Sequence, residues 1–336
     1  MLMELLILIS SAVFLAYSSD WFTGGASKLA KLIVSAVFLA YSSDWFTGGA
    51  SRLAKAVGVS EFLIGVTVLA IGTSLPEIVV SVYAAFTGNP ELAAGNVVGS
   101  NITNVALVLG VACIVSPIVI DRSIYRDVKI HVLILAMVSC SIVSCYFLYA
   151  GRITWMAGLL LVMVYGWYIW DGYTRHRSTH PVPEIRGNRK NLVRSLGQTI
   201  AGGLGVFVAC NFLVDAAIGI ASELGISTTV IGLTLVALGT SLPELAVSIA
   251  AARKRWGMMV IGNVIGSNIA NILLALGISA GFCTIPRVDA IVDNIVLMVF
   301  LAMAMVIFVR YRGVFDRRVG TLFVMVYVAF IAMIFM

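Results

Sequence analysis

The sequence predicts an all-α membrane protein made of two related halves, and three observations support that prediction. Of its 336 residues, 60% are hydrophobic and only 11% are charged, about half the charge content of an ordinary soluble chain. Apolar runs long enough to cross a bilayer follow one another along the chain. A segment rich in polar motifs also recurs later in the sequence, at the same spacing throughout.

Nine apolar runs reach or exceed the roughly 17 to 25 residues that a helix needs to cross the hydrocarbon core. They cover residues 60–86, 91–118, 128–149, 152–174, 195–223, 228–252, 257–282, 288–310 and 319–336. A large soluble helical core would show polar faces at a period of 3.6 residues, and these runs do not. We therefore expect an integral, multi-pass membrane protein.

Basic residues test these spans independently, because Lys and Arg gather in short cytoplasmic loops. If the span that ends near Lys55 runs inward, nearly all basic residues fall on the inner side. The exceptions are Arg152 and Arg287, once Lys28 and Lys31 are left aside. The net charge of +6 therefore reflects topology, and neither a nucleic-acid partner nor an obligate protein partner is expected.

The two halves are recognised from an internal repeat. Residues 65–104 align without gaps with residues 232–271, and direct counting gives 21 identities in 40. The distribution of basic residues predicts that the span that holds Glu77 runs outward and the span that holds Glu244 runs inward, so the halves are inverted. Inverted halves are typical of secondary transporters, which bind their substrate near the midplane on helices interrupted by Gly or Pro.

The motif GTSLPE supplies that interruption in each half. Pro76 lacks an N–H, so the carbonyl of Gly72 loses its helical hydrogen bond, and Pro243 has the same effect on Gly239. The hydroxyls, the freed carbonyl and the carboxylate of each motif can then share one face. Hard cations such as Ca²⁺ and Na⁺ take oxygen ligands of this kind.

A second repeated motif, GNVxGSN, lies on the following helix. Its last three residues begin the longer pattern GSNxxN, which places Ser100 and Asn104, and likewise Ser267 and Asn271, four residues apart on one helix face. A mid-membrane carboxylate costs roughly 2.5 to 3.5 kcal/mol on insertion scales, so the paired glutamates need a function. Two carboxylates offset the charge of one Ca²⁺. The alternative, in which the glutamates are protonated or pack helices, does not require the same polar set twice in opposite orientations.

At these motifs the chain resembles the sodium/calcium exchanger family, within the wider cation/calcium exchanger superfamily, from about Ser35 onward. The resemblance implies ten helices in two inverted five-helix repeats. These are residues 35–174 and 195–336, separated by a basic loop at 175–194 and preceded by an extra segment at 1–34. It also implies that Na⁺ and Ca²⁺ compete for one central site by alternating access, with the first and sixth helices sliding across the rest. No cofactor is implied; the expected partners are the two ions and membrane lipid.

The resemblance also implies which residues are ligands. It implies shared Na⁺ and Ca²⁺ carboxylates at Glu77 and Glu244 and carbonyl donors to Ca²⁺ at Thr73 and Thr240. It implies Na⁺ ligands at Ser74, Ser241, Ser100 and Ser267 and at the backbone of Ala70 and Ala237. Asn104 and Asn271 align with positions that some members fill with Asp. Potassium-dependent members have an acidic residue at the position of Asn271, and proton-coupled members usually have another Glu in the second motif. Sodium coupling is therefore expected, with potassium or proton coupling as the alternative.

The N-terminal region contains a second, much more exact repeat. Residues 11–31 recur as 35–55 with one change, Lys28 to Arg52. Extending the alignment of the two halves backward pairs Asp44 with Asn211, so the second copy is expected to be the first helix of the fold. Both copies end in basic clusters, and two consecutive crossings cannot both end inside. Either the first copy crosses and leaves Lys28 and Lys31 outside, or only one copy crosses while the other lies at the interface.

Two other classes of function, a passive channel and a hydrolase, fit the sequence less well than a transporter. A passive cation channel could use the same oxygen ligands, but it would not need inverted halves with matched broken helices. A membrane-embedded hydrolase would use the two glutamates as acid and base, but no partner His or nucleophile is near them in the sequence. His131, His176 and His180 all fall at loops or span ends. An enzyme is therefore not expected.

Overall fold

A computed structural model of the chain describes residues 25–120, 125–144, 152–179, 189–224, 237–286, 292–311 and 313–334. Most of the first copy of the N-terminal repeat, residues 11–24, lies outside the described residues. So do residues 225–236, which include the start of the span predicted at 228–252.

The described residues are almost entirely helical, as the composition predicts. The first half contains α1 Gly25–Val57, α2 Glu61–Ile64, α3 Ala70–Thr73, α4 Leu75–Phe86, α5 Pro90–Thr103, α6 Gly110–Val115, α7 Tyr125–Ser144 and α8 Trp155–Thr179. The second half contains α9 Arg189–Glu223, α10 Ala237–Thr240, α11 Leu242–Arg253, α12 Gly257–Ala270, α13 Leu276–Phe282, α14 Val292–Tyr311 and α15 Arg317–Ile334. Three π-helical segments join neighbouring helices, at Gly65–Leu69, Asn104–Leu109 and Asn271–Ala275.

Five of the described helices are long and apolar enough to cross a membrane. They are Lys28–Val57, Pro90–Val115, Asn191–Ile220, Gly257–Phe282 and Val292–Arg310. Glu61–Thr73 and Leu75–Phe86 together pass the same test, bent by 47° at the break between them. This confirms the expectation of a multi-pass helical membrane protein.

The long helices α1 and α9 pack against each other in antiparallel orientation. Near one end, the Nζ of Lys28 lies 2.7 Å from Oε1 of Glu223 and donates to the carbonyl of Gly219 at 3.1 Å. Further along, a Cβ added to Gly202 would lie 2.4 Å from the backbone nitrogen of Phe46. Since no side chain fits at Gly202, the two backbones approach closely there. We call α1 and α9 the outer pair.

Helix α1 contains the whole second copy of the N-terminal repeat and also the basic cluster that ends the first copy. Lys28 and Lys55 therefore lie near opposite ends of one 33-residue helix. Within α1 the two basic clusters therefore lie at opposite ends of one helix, whereas residues 11–24 of the first copy lie outside the described residues. The placement of the second copy in α1 agrees with the expectation that it forms the first helix of the fold.

The middle of the molecule is formed by the helices Pro90–Val115 and Gly257–Phe282, which we call the central pair. The α2 segment packs closely on the second of them, because a Cβ at Gly262 would lie 2.4 Å from the carbonyl oxygen of Phe62. A Cβ at Gly266 would similarly lie 2.4 Å from the carbonyl oxygen of Val66. Gly262 and Gly266 thus allow the broken helix of the first half to rest on the central helix of the second half.

Two very short antiparallel sheets were not predicted from the sequence. Ile118–Val119 (β1) pairs with Val314–Phe315 (β4), and Arg152–Ile153 (β2) pairs with Ile285–Pro286 (β3). Strands β1 and β3 are separated by the same 167 residues that relate Asn101 to Asn268. Each half therefore contributes one equivalent strand, and the pairing ties the end of a central helix to a peripheral loop of the other half.

One ion pair links α1, in the first half, to the second half. The Nζ of Lys254, which follows α11, lies 2.9 Å from Oδ1 of Asp44 and donates to the Asp44 carbonyl at 2.8 Å. It also donates to Oγ1 of Thr47 at 3.1 Å and lies 5.2 Å from the centre of the Trp256 ring. Asp44 is thus satisfied by a cation from another element, as a carboxylate within a membrane-spanning helix requires.

Candidate ion-binding site

Both GTSLPE motifs break their helices at the serine. Helix α3 ends at Thr73 and α4 begins at Leu75, with Ser74 between them at φ −83° and ψ 4°. In the second half, Ser241 separates α10 from α11 at φ −89° and ψ 3°. Each proline lies in the first turn of the new helix, where its missing N–H costs no hydrogen bond. The break predicted from the prolines is confirmed in both halves.

The break places each glutamate in the first turn of a helix. Glu77 lies in the first turn of α4 and Glu244 in the first turn of α11. The partial positive charge of a helix N-terminus favours a carboxylate at that position. Both glutamates are completely buried, so the sequence puts two acidic side chains at the interior point where the backbone best tolerates them.

Each glutamate accepts a hydrogen bond from the serine of the other half. Ser74 Oγ donates to Oε1 of Glu244 at 2.9 Å, and Ser241 Oγ donates to Oε1 of Glu77 at 3.2 Å. The second carboxylate oxygen of each glutamate, Oε2, is buried and has no hydrogen-bond partner among the described residues. One oxygen of each carboxylate is therefore held in place while the other remains available for a ligand.

The second motif adds more buried oxygens from the central pair. Ser100, Ser267, Asn104 and Asn271 are all buried, and a π-helical segment begins at each of the two asparagines. Such π-helical turns occur frequently at functional sites. The Oδ1 atoms of Asn104 and Asn271 have no hydrogen-bond partner in the described part of the chain. Each half therefore supplies this site with two buried oxygens that have no partner among the described residues, one from a glutamate and one from an asparagine.

The remaining predicted residues connect these groups. Thr73 Oγ1 lies 3.5 Å from Ser267 Oγ, and both hydroxyls lie within 3.5 Å of the Ala70 carbonyl oxygen. Ala237 and Thr240 begin and end α10, the counterpart of α3 in the second half. The structure thus brings the motifs of the two halves into contact through Thr73, Ser74, Ser241 and Ser267. Ser100 is buried on α5.

Sequence reasoning did not single out a set of asparagines and serines that supports these residues. Asn96 donates to the Glu77 carbonyl at 3.1 Å and to Ser81 Oγ at 2.9 Å. In the second half, Asn263 donates to Ser248 Oγ at 3.3 Å. The internal repeat contained the necessary signal, because the asparagines and the serines occur at matching positions in both halves.

Apolar side chains of the outer pair cover the glycines of both GTSLPE motifs. A Cβ at Gly72 would lie 2.8 Å from Cζ of Phe46, and one at Gly239 would lie 2.6 Å from Cγ2 of Val214. Phe46 itself is buried. Each half of the outer pair therefore presses a hydrophobic side chain against the broken helix, where any larger residue in place of glycine would clash.

The donor chemistry suits a hard cation. Carboxylate, hydroxyl and amide oxygens converge from both halves, and such ligands suit Na⁺ and Ca²⁺. The described residues contain no cluster of three or more His, Cys, Asp or Glu side chains, so nothing in that part of the chain resembles a thiolate or imidazole site. His131 packs edge-on against Phe62 and Tyr168, at ring-centre distances of 5.1 and 5.4 Å.

Comparisons with known proteins identify the family to which the chain belongs. The family model described as sodium/calcium exchanger protein matches residues 29–170 and 194–336. The chain belongs to the sodium/calcium exchanger family. The exchanger is 33% identical to the sodium/calcium exchanger MaX1 of Methanosarcina acetivorans, over 98% of each chain. It is 38% identical to the uncharacterized membrane protein MJ0091 of Methanocaldococcus jannaschii, over 95% of this chain and 94% of that protein.

Solved structures give the same result for the fold. The exchanger superposes on the sodium-calcium exchanger NCX_Mj, soaked with 10 mM Na⁺ and zero Ca²⁺, with a TM-score of 0.81 and 36% identity. The match covers 92% of this chain and 99% of NCX_Mj. The fold class and the family predicted from the sequence are therefore confirmed, as is the expectation that the protein is a transporter and not an enzyme.

Proposed function

We propose that this exchanger moves Ca²⁺ across the membrane in exchange for Na⁺, by alternating access to one central site. Four buried oxygens are the observation that supports the proposal most directly. They are Oε2 of Glu77 and Glu244 and Oδ1 of Asn104 and Asn271, each without a hydrogen-bond partner among the described residues. Burying an unpartnered polar atom costs about 1–3 kcal/mol, so four such oxygens in matched positions favour a cation as their ligand.

The charge of the site supports Ca²⁺ and Na⁺ as alternative occupants. Glu77 and Glu244 bring two negative charges into a completely buried region. One Ca²⁺ or two Na⁺ would neutralise them, and the hydroxyls of Ser74, Ser241 and Thr73 lie in the same network. The proposed ligand set remains the one predicted from the sequence, including Ser100 and Ser267 and the backbone of Ala70, Ala237, Thr73 and Thr240.

Alternating access is supported by the contrast between the outer pair and the rest of the molecule. The outer helices pack closely on each other at Gly202 and Phe46, so they can move as one body. They reach the site through apolar side chains, Phe46 and Val214, which bind no cation. We therefore propose that the outer pair slides across the central helices and opens the site to one side at a time.

The coupling ion is tested by Ca²⁺ uptake into Na⁺-loaded proteoliposomes, with Na⁺, K⁺ and proton gradients varied one at a time. An outward Na⁺ gradient alone is expected to drive Ca²⁺ in. Uptake that requires K⁺, or that follows a proton gradient without Na⁺, would establish the potassium- or proton-coupled alternative instead. Ca²⁺ flux that runs down its own gradient and ignores Na⁺ would indicate a passive channel.

A further inference from the structure

Four buried asparagines lie where the two halves meet, and two of them belong to the proposed ligand set. Asn104 and Asn271 carry the unpartnered Oδ1 atoms, whereas Asn101 and Asn268 are the last residues of the two GSN sequences. All four side chains are at most 2% exposed. An asparagine amide can present either its oxygen or its NH₂ group in a given direction, so the orientation of the two ligand amides has to be fixed by a neighbour.

Backbone carbonyls fix the orientation of Asn101 and Asn268. The Nδ2 of Asn101 lies 3.2 Å from the Asn268 carbonyl oxygen, and the Nδ2 of Asn268 lies 3.2 Å from the Asn101 carbonyl oxygen. A carbonyl oxygen only accepts hydrogen bonds, so the NH₂ group of each asparagine must face it. The Oδ1 atoms of Asn101 and Asn268 are therefore left on the other side, where they can only accept.

These two Oδ1 atoms in turn fix the ligand amides, each in the other half. The Nδ2 of Asn104 donates to Oδ1 of Asn268 at 2.9 Å, and the Nδ2 of Asn271 donates to Oδ1 of Asn101 at 3.2 Å. An NH₂ group is required at both contacts, because two carbonyl oxygens in contact would repel each other. The Oδ1 atoms of Asn104 and Asn271 must consequently point away from Asn101 and Asn268.

We propose that Asn101 and Asn268 are positioning residues that make Asn104 and Asn271 present oxygen, not NH₂, to the transported cation. The inference rests on the proposed function, because it needs a cation at the unpartnered oxygens. A flipped amide would direct its partially positive NH₂ group toward the ion and replace attraction with repulsion. The reciprocal contacts mean that each half sets the ligand of the other, so both amides are oriented without any charged residue.

A double-mutant cycle separates orientation from general packing. Asn268→Leu removes the acceptor for Asn104 while keeping a side chain that branches in the same way at Cγ. In the wild-type background we expect it to weaken equilibrium Ca²⁺ binding by about tenfold, the loss that corresponds to one misdirected buried ligand. In an Asn104→Asp background we expect a loss of no more than about threefold, because both ends of a carboxylate are oxygens and no orientation has to be set.

The crossed pairing supplies a matched control within the same cluster. Asn101→Leu should weaken Ca²⁺ binding less in an Asn271→Asp background than in the wild type. Its effect on Ca²⁺ binding should not depend on whether residue 104 is Asn or Asp. The reason is that Asn268 remains oriented by the backbone carbonyl of residue 101, which the substitution leaves in place. Additive effects in the Asn268–Asn104 and Asn101–Asn271 cycles would overturn the proposal. So would a coupling of the same size between Asn101→Leu and Asn104→Asp.

Two further measurements keep the outcome decisive. If Asn268→Leu fails to fold, Asn268→Ser repeats the cycle with a shorter side chain that cannot reach Asn104. Ca²⁺ titration of Glu77→Gln in the same detergent tests the site itself. Unchanged affinity in Glu77→Gln would reject the proposed site and the positioning role with it, whereas strong loss there combined with additive asparagine cycles would reject the positioning role alone.

Discussion

The outer pair and the central pair of helices are both long and apolar, but they differ in what they bury. In the most apolar stretch of each central helix, 78% and 94% of the residues are buried, compared with 33% and 28% in α1 and α9. The central helices carry the buried serines and asparagines of the site, whereas the outer helices contribute Phe46 and Val214. The proposed ligands and the apolar side chains that cover them thus lie on different helices.

Under the proposed function, this difference explains how a cation site can have fixed ligands and still open to the solvent. The oxygens of the site are held by hydrogen bonds between the two halves, such as Ser74 to Glu244 and Asn104 to Asn268. Those bonds do not involve the outer pair. A movement of α1 and α9 could therefore uncover the site without disturbing its ligands, and substitutions in the two regions should have separable effects.

The largest expected effect comes from the buried carboxylates. Glu77→Gln and Glu244→Gln should each weaken Ca²⁺ binding by at least about a hundredfold, or ~2.7 kcal/mol, because the bound ion then keeps an uncompensated charge in a buried region. Equilibrium Ca²⁺ titration and Na⁺-driven Ca²⁺ uptake, at equal expression and with folding checked by size exclusion, provide the measurement.

Glu223→Gln is the matched control for these two variants. Glu223 pairs with Lys28, but its side chain is 44% exposed, and exposed ion pairs contribute only about 0–1 kcal/mol. Its Ca²⁺ affinity should stay within about threefold of the wild type. Wild-type affinity and flux in either buried variant would mean that the two-carboxylate site has to be abandoned.

The carboxylates also show how far sequence reasoning reaches. Glu77 and Glu244 could be found because a charged residue in an apolar run is costly and because the repeat presents both at one position of a broken helix. The roles of Asn101 and Asn268 could not be found in the same way. Their hydrogen bonds connect residues about 167 positions apart, and helix periodicity gives no information about which faces of two helices meet.

The strands and ion pairs escaped prediction for a related reason. Two-residue strands such as β1 and β3 leave no alternation in the sequence that could be recognised. The contact between Asp44 and Lys254 joins a mid-helix carboxylate to a loop that is distant in the chain. By contrast, the helices themselves and the breaks at Ser74 and Ser241 follow from local chemistry, and these predictions were correct.

Phe46→Ala should have the next largest effect and should separate covering from binding. Removing a buried phenylalanine side chain typically lowers the free energy of unfolding by about 3–5 kcal/mol, so the melting temperature in detergent should fall clearly. Ca²⁺ affinity should change less than in the glutamate variants, because Phe46 supplies no oxygen.

Tyr41→Ala is the control on the same helix. Tyr41 is 44% exposed, so its truncation should leave the melting temperature nearly unchanged. If Phe46→Ala reduced Ca²⁺ affinity as strongly as Glu77→Gln without lowering stability, the division between covering and binding helices would be wrong.

A smaller effect is expected at the contact that joins α1 to the second half. Asp44→Asn and Lys254→Gln should each change the rate of Na⁺-driven Ca²⁺ uptake by about two- to fivefold, in keeping with ~0.5–1 kcal/mol for a partly exposed ion pair. Equilibrium Ca²⁺ affinity should be almost unaffected. The double variant should behave like either single variant, and additive rate changes would show that the two side chains do not act through their contact.

The smallest effect is expected from removing one copy of the N-terminal repeat. Deleting residues 11–34 joins the first ten residues directly to the second copy, which lies within α1. The close approach of Phe46 to Gly202 and Gly72 is retained. The deletion does replace Lys28 by Glu4 opposite Glu223, but an ion pair as exposed as this one contributes only about 0–1 kcal/mol. Folding and exchange in proteoliposomes should therefore match the full chain within about twofold, and loss of either would show that the first copy has acquired a function.

The ion pair between Lys28 and Glu223 distinguishes two chain segments, 1–33 and 25–57, that share a nearly identical repeat. Residues 11–31 repeat 35–55 with a single change, so most side chains of α1 would be the same if the first copy took its place. The residue 24 positions before Lys28 is Glu4. With the first copy against α9, a glutamate would face Glu223, and repulsion between two carboxylates would replace an attractive contact of 2.7 Å. One lysine thus gives the helix a preferred register that its repeated residues do not encode.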